Sequence, residues 1–232
     1  MGFLKNFFRT ALHEEVDAAD QRGFQELTEE QLEEHLAISR YGRFQLTDAV
    51  RPSYELEVVP SEGFRHDTYE DQASKTSVPV VMAAASKPRL FETFMDLLQP
   101  LGSVVDVVLE TSHDYSATGH SDLYREHIDM PILQSILWDF EDLLTNDGCT
   151  GIAVLNPRLP QEVQFDEHKL LIVYGKELRD YEMSLIDSGL NCREDMKFLT
   201  EAEHVHSTND DYIEQFEQLK RRLGVDGDVG VY

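Results

Sequence analysis

The chain has 232 residues, of which 41% are hydrophobic, enough for one large folded domain with its own core. Its formal net charge is −25, from 45 acidic and 20 basic residues. This charge repels phosphate backbones and anionic lipids, so we expect neither nucleic acid nor a membrane as a partner. A cation or a basic protein surface would be attracted.

The cysteines and the apolar runs indicate the compartment. Cys149 and Cys192 lie far apart and form no CxxC, which argues against a disulfide scaffold and a cysteine-based zinc site. Lys5 and Arg9 interrupt the apolar residues at the start, unlike in a signal peptide. No apolar run approaches the roughly 20 residues of a membrane span. The sequence therefore predicts a cytoplasmic protein.

The first residues predict an amphipathic helix. Its apolar stripe includes Phe3, Leu4, Phe7 and Phe8. The polar side has too few cations for a membrane-surface helix. We therefore expect the stripe to pack on the protein's own core, on a protein partner or on a second copy of the chain. A second helix is predicted to start at Thr28, and residues 1–50 together to form an N-terminal helical appendage.

Residues 51–224 are predicted to form the core domain, followed by a flexible tail over residues 225–232. Apolar and charged residues alternate over 53–59, which indicates a half-exposed strand, and residues 60–77 are typical of a polar loop. The continuous apolar runs "VPVVMAAAS" and "SVVDVVLE" indicate buried strands. The helix between them predicts a right-handed crossover that joins two parallel strands.

The second half of the core domain predicts helices and a hairpin. Asp129 is a candidate N-cap for a helix with a strict apolar stripe. "TGIAVLNP" and "HKLLIVYG" predict an antiparallel hairpin around the turn-like residues 158–167, and a weaker strand is predicted over 195–199. The predicted class is α+β: a mixed sheet of five or six strands, with one βαβ crossover and one antiparallel hairpin, packed by amphipathic helices.

A histidine-rich segment follows the second buried strand, a position where open sheets often carry sites. His113, Asp114, His120 and His127 are candidate ligands for zinc, iron or manganese. Their even spacing matches no metal motif, and the residues between them are poor helix formers. The sequence favours a solvated or interaction loop, with a metal site as the alternative.

Two further segments are candidate sites. His204 and His206 form the only HxH in the sequence, and on a strand they would share one face and could bind a metal together. The helix-capping residues after them favour a loop instead. Lys87 and Arg89, at the start of the helix after "AAAS", are candidate anion ligands, although no phosphate-binding fingerprint accompanies them.

The sequence contains no complete catalytic constellation and identifies no cofactor. It has no GxSxG, and no cation adjoins Cys149 in the sequence. We therefore expect a non-enzymatic, acidic protein that binds a protein partner or forms a homo-oligomer through its N-terminal helix. The alternative is a metal-dependent hydrolase that uses the histidine-rich loop 113–127, joined by His204 and His206.

Overall fold

The computed structural model describes residues 28–71, 76–113 and 121–225. At its centre lies a seven-stranded sheet in which every ladder is antiparallel. The strands follow the order β4-β5-β10-β9-β8-β6-β7. Their bounds are β4 Gly63–Asp71, β5 Thr76–Ala84, β6 Val104–Thr111, β7 Ser121–Asp129, β8 Thr150–Leu155, β9 Gln161–Phe165 and β10 Leu171–Gly175.

Two small sheets and six α-helices complete the described residues. β1 (Arg40–Tyr41) pairs with β2 (Phe44–Gln45), and β3 (Val50–Pro52) pairs with β11 (His204–His206). The helices are α1 Glu29–Leu36, α2 Lys87–Leu97, α3 Met130–Asp139, α4 Glu141–Asn146, α5 Arg179–Asp187 and α6 Asp210–Leu223. Helices α2 to α6 share the main core with alternate residues of the large sheet, so they cover one of its faces. None of the helices in this part of the chain is long and apolar enough to cross a membrane.

The predicted α+β class is confirmed, but the strand count and the crossover are wrong. β5 and β6 run in the same direction, as expected, yet β10, β9 and β8 lie between them. The predicted hairpin is also wrong, since β9 separates β8 from β10. β9 occupies the stretch that was predicted to be a turn. Its Gln161, Glu162 and Gln164 are polar, so the sequence lacks the apolar run that would have identified an internal strand.

The other missed strands lie at sheet edges. β4 and β7 are the two edge strands, and their charged residues made them resemble polar loops. Charged side chains are common on edge strands because they discourage further strand pairing. The predicted strands at 53–59 and 195–199 are irregular in the structure, and HVH is a strand instead of a loop.

Local signals for helices were more reliable. The capping box of Thr28 and Gln31 is present at the start of α1. Asp129 precedes α3, but its side chain makes no capping hydrogen bond, and the helix predicted after it divides into α3 and α4 at Phe140. The predicted domain boundary at residue 50 falls inside β3. No disulfide joins Cys149, which is buried, to Cys192, which is exposed.

Candidate metal centre

Three imidazole rings meet beside the large sheet. The ring centroids of His168 and His204 are 4.9 Å apart, those of His168 and His206 are 4.7 Å apart, and those of His204 and His206 are 5.1 Å apart. One ring nitrogen from each histidine lies within 4.8 Å of the others. Around a tetrahedral zinc ion, with Zn–N bonds of about 2.0–2.1 Å, imidazole centroids would be about 5 Å apart. The three rings therefore have the spacing of ligands to one ion.

The turn between β9 and β10 places His168. Asp166 organises this turn: its Oδ1 accepts the backbone N–H of Leu170 at 2.7 Å, and its backbone carbonyl accepts that of Lys169 at 3.1 Å. Lys169 has a φ of +66°, in the left-handed region, which lets the chain reverse within a few residues. The tight turn directs His168 back toward β11.

The pairing of β11 with β3 places the other two histidines. His204 is opposite Pro52 and His206 is opposite Val50, so both imidazoles lie on the same face of this two-stranded sheet. The strand continues into a hydrogen bond from the N–H of Ser207 to the carbonyl of Ala49 at 2.8 Å. The HxH spacing places the two imidazoles on one face because pairing with β3 makes these residues a strand.

Each of the three rings has a hydrogen-bond acceptor at Nδ1. His168 Nδ1 lies 2.9 Å from Asp166 Oδ2. His204 Nδ1 lies 2.8 Å from the carbonyl oxygen of Ala202, and His206 Nδ1 lies 2.6 Å from that of Gly148. Carbonyl and carboxylate oxygens can only accept, which assigns a proton to every Nδ1. Nε2 is then the nitrogen free to bind a metal, and such outer hydrogen bonds usually accompany metal-binding histidines.

Burial and the neighbouring charges set the protonation of the cluster. Burial lowers the pKa of His206 to about 4 and also lowers the pKa of His204. Burial alone would lower the pKa of His168 too, but the adjacent Asp166 carboxylate raises it. His206 is therefore neutral at neutral pH, and a neutral imidazole is the form that binds metals.

Two charged residues complete the surroundings. Glu167 acts electrostatically on all three imidazoles, and its Oε2 accepts a hydrogen bond from Ser112 Oγ at 2.9 Å. The Lys169 ammonium donates to the carbonyl of Thr150 at 2.8 Å, and burial lowers its pKa to about 8. His168 and Lys169 also line a small, largely apolar pocket.

The structure does not bring the predicted ligands His113 and His127 together. His113 follows the end of β6, where its Nε2 lies 2.9 Å from Asp147 Oδ2. His127 lies at a bulge opposite the start of β6, with 68% of its side chain exposed, and faces Asp106. The length of β6, at about 3.4 Å per residue, puts roughly 20 Å between them. Asp114 and His120 lie outside the described residues.

The predicted anion site at Lys87 and Arg89 faces carboxylates of the chain itself. Lys87 Nζ lies 2.9 Å from Asp48 Oδ2, and Arg89 Nε lies 3.4 Å from Glu62 Oε1. The same Glu62 oxygen accepts the backbone N–H of Ser86, at the start of α2, at 3.0 Å. A carboxylate thus already lies at this helix N-terminus, where a bound anion would sit.

The sequence analysis missed His168 as a member of the cluster. The available signal was the pair Asp166 and His168, two residues apart in the short stretch just before the apolar strand β10. A carboxylate at that spacing can orient an imidazole, as it does here. That signal is weak on its own, because only the folded chain brings His168 to the HxH pair.

The chain has no significant match among protein-family models, curated proteins or solved structures. The geometry and chemistry of the cluster therefore carry the functional proposal.

Proposed function

We propose that this protein binds a divalent transition-metal ion, preferentially zinc, through the Nε2 atoms of His168, His204 and His206, and that it is a metal-dependent hydrolase. One observation carries the proposal: three rings converge while an acceptor holds each Nδ1. These acceptors fix the Nδ1–H tautomer of each ring and leave each Nε2 as the nitrogen that could bind an ion. This version of the predicted metal-dependent hydrolase uses β11 and the β9–β10 turn in place of the loop 113–127.

The number of ligands supports a catalytic site over a purely structural one. Structural zinc sites usually have four protein ligands, whereas catalytic sites have three and keep one position for water or substrate. Three imidazoles with no thiolate also suit copper, nickel and iron, so the choice of zinc rests on its preference for tetrahedral nitrogen ligands.

Glu167 is the candidate general base. It lies in the same turn as His168 and interacts with all three rings, while Ser112 holds its carboxylate. A carboxylate beside an open coordination position can accept a proton from an attacking water. The reaction class we propose is hydrolysis of an ester, amide or phosphoester bond.

Metal binding by untagged protein tests the proposal directly. After treatment with a chelator, the protein is dialysed against zinc and its bound metal is measured. We expect the variant with His204→Ala and His206→Ala to bind one equivalent less than wild type. His127→Ala is the matched control, because this exposed histidine lies far from the cluster. Equal zinc content in all three proteins, or no zinc in any, would contradict the proposal.

Activity tests the hydrolase assignment separately. A panel of activated esters, phosphoesters and peptides is offered to the zinc-loaded protein. Glu167→Gln should retain zinc but lower kcat by about 10²- to 10⁴-fold, the usual contribution of a general base. A hydrolytic rate that is indifferent to both zinc and Glu167 would refute the assignment while leaving metal binding intact.

A further inference from the structure

A second group of potential metal ligands includes the two residues that flank Gly148. His113 follows β6, while Asp147 and Cys149 lie in the connection between α4 and β8. One ligand atom from each residue lies within 4.8 Å of the others. Asp147 is fully buried, Cys149 is 3% exposed, and 8% of the His113 side chain is exposed. The group is therefore shielded from solvent.

Two polar atoms of this group are not satisfied by hydrogen bonds. His113 Nε2 and Asp147 Oδ1 are buried without a hydrogen-bond partner. Nε2 does lie 2.9 Å from the other carboxylate oxygen, Asp147 Oδ2, a distance at which the two groups interact directly. Buried polar atoms in native proteins are rarely left unpaired. A cation between the imidazole and the carboxylate would satisfy both.

Neighbouring hydroxyls hold the candidate ligands in place. Thr111 Oγ1 accepts the backbone N–H of His113 at 3.1 Å and lies 2.8 Å from its Nδ1. A hydroxyl oxygen has a second lone pair, which can accept an Nδ1–H and leave Nε2 free for a metal. Thr150 donates its hydroxyl to Asp147 Oδ2, and the ring of Phe216 packs against His113 at 5.2 Å. These contacts resemble the outer shell of a metal site.

The donor set indicates which ion would bind. A carboxylate, a thiolate and a neutral imidazole together carry two negative charges and offer one O, one S and one N donor. Zinc accepts all three donor types, whereas magnesium and calcium avoid sulfur. The Lys169 ammonium interacts electrostatically with both Asp147 and Cys149 and offsets part of their charge. The absence of a CxxC does not exclude this group, because it uses a single cysteine and takes its imidazole from the distant end of β6.

From this arrangement we infer that His113, Asp147 and Cys149 form a second zinc site, separate from the three-histidine cluster. The ion would join the end of β6 to the start of β8 at their buried ends. The inference does not depend on the proposed hydrolase function, since it rests on different ligands. The competing interpretation is a His113–Asp147 ion pair beside a thiol that only fills the core.

Cobalt distinguishes the two sites because only the second contains a thiolate. Chelator-treated, untagged, full-length protein is titrated with Co²⁺ and its near-ultraviolet absorption is recorded. We expect a thiolate-to-cobalt charge-transfer band in wild type, with two equivalents of cobalt bound. Cys149→Ser should lose the band and one equivalent. Cys192→Ser, which alters the exposed thiol, should keep both.

The outcomes separate the two proposals. A wild-type protein that binds cobalt without a charge-transfer band would overturn the second site and leave the three-histidine site standing. A band abolished by Cys149→Ser, with a stoichiometry of one, would support the second site and overturn the first. A band lost only in Cys192→Ser would also overturn the inference. His113→Gln is the second test: if Cys149→Ser does not fold, a full-strength band in His113→Gln would contradict the site.

Discussion

His206 donates its Nδ1–H to the carbonyl oxygen of Gly148 at 2.6 Å, and this hydrogen bond connects both candidate metal sites. Gly148 lies between Asp147 and Cys149, so the backbone that orients a ligand of the first site carries two ligands of the second. Its own N–H donates to the carbonyl of Ser207 at 2.8 Å, just after β11. The turn "DGCTG" is therefore an organising segment of this end of the protein.

Gly148→Ala should disrupt this end of the molecule. An added Cβ would collide with the carbonyl oxygen of Ala49 and come within 2.9 Å of Ser207 N. Both are backbone atoms in a hydrogen-bonded strand pair, so displacing either one would weaken the hydrogen bond between the two segments. We expect a loss of about 1–3 kcal/mol in the free energy of unfolding, as for other overpacked sites, and weaker zinc binding.

Urea unfolding and zinc titration of the variant check this prediction. Gly175→Ala is the matched control, since its Cβ would meet side-chain and backbone atoms only at 3.4 Å or more. If Gly148→Ala is as stable as the control and binds zinc as wild type does, the close approach at Gly148 is unimportant.

Asp166→Asn should weaken zinc binding with little change in the fold. The asparagine oxygen can still accept the N–H of Leu170, but the amide group replaces the carboxylate oxygen that accepts His168 Nδ1–H. Outer-shell substitutions of this kind typically cost 10- to 100-fold in metal affinity. Competition with a chromophoric chelator gives the affinity. Asp180→Asn, at an exposed position on α5, is the control. Equal affinities in the two variants would argue against an orienting role for Asp166.

Glu110 should make the protein less stable as the pH rises. Burial raises the pKa of Glu110 to about 8, with a further contribution from the charge of Asp122. The unfolded state releases this proton near the ordinary value of 4.5, while the folded state keeps it until about pH 8. Stability therefore falls through that window, by about 1.4 kcal/mol per pH unit at most.

Glu110→Gln tests this contribution because it removes the ionisation and keeps the shape. Urea unfolding at pH 5 and at pH 8, with chelator present, should show a smaller loss of stability in the variant than in wild type. Glu177→Gln, at an exposed position, should behave as wild type does. If wild type and Glu110→Gln lose the same stability between the two pH values, Glu110 ionises normally in the folded protein.

The N-terminal stripe of Phe3, Leu4, Phe7 and Phe8 lies outside the described residues, so its partner-binding role stays a prediction of the sequence. Deletion of residues 1–20 should change the oligomeric state or abolish capture of a partner, because it removes the whole stripe. Light scattering and pull-down measure the two effects. Identical behaviour of the truncated and full-length proteins would remove the main support for this role.

Within the large sheet, the apolar strands were predicted from the sequence and the polar strands were missed. β5, β6, β8 and β10 have mainly apolar residues and were recognised, whereas the two edge strands and β9 were not. β9 is internal, yet its Glu162 is fully buried, and burial raises the pKa of that carboxyl well above its ordinary value. An acidic residue in a central strand contradicts the apolar pattern that identifies such strands.

The sequence by itself determined the α+β class, the capping box of α1, the main amphipathic helices and the apolar strands, because these depend on contacts between residues close along the chain. It also supplied the HxH of His204 and His206. Only the tertiary structure decided that β8, β9 and β10 lie between β5 and β6, and that β3 makes a strand of the HxH. Strand pairing and ligand convergence depend on contacts between distant segments, and composition and periodicity do not encode them. For that reason His168, far from the HxH in the chain, completes the cluster, and His113 is brought together with Asp147 and Cys149.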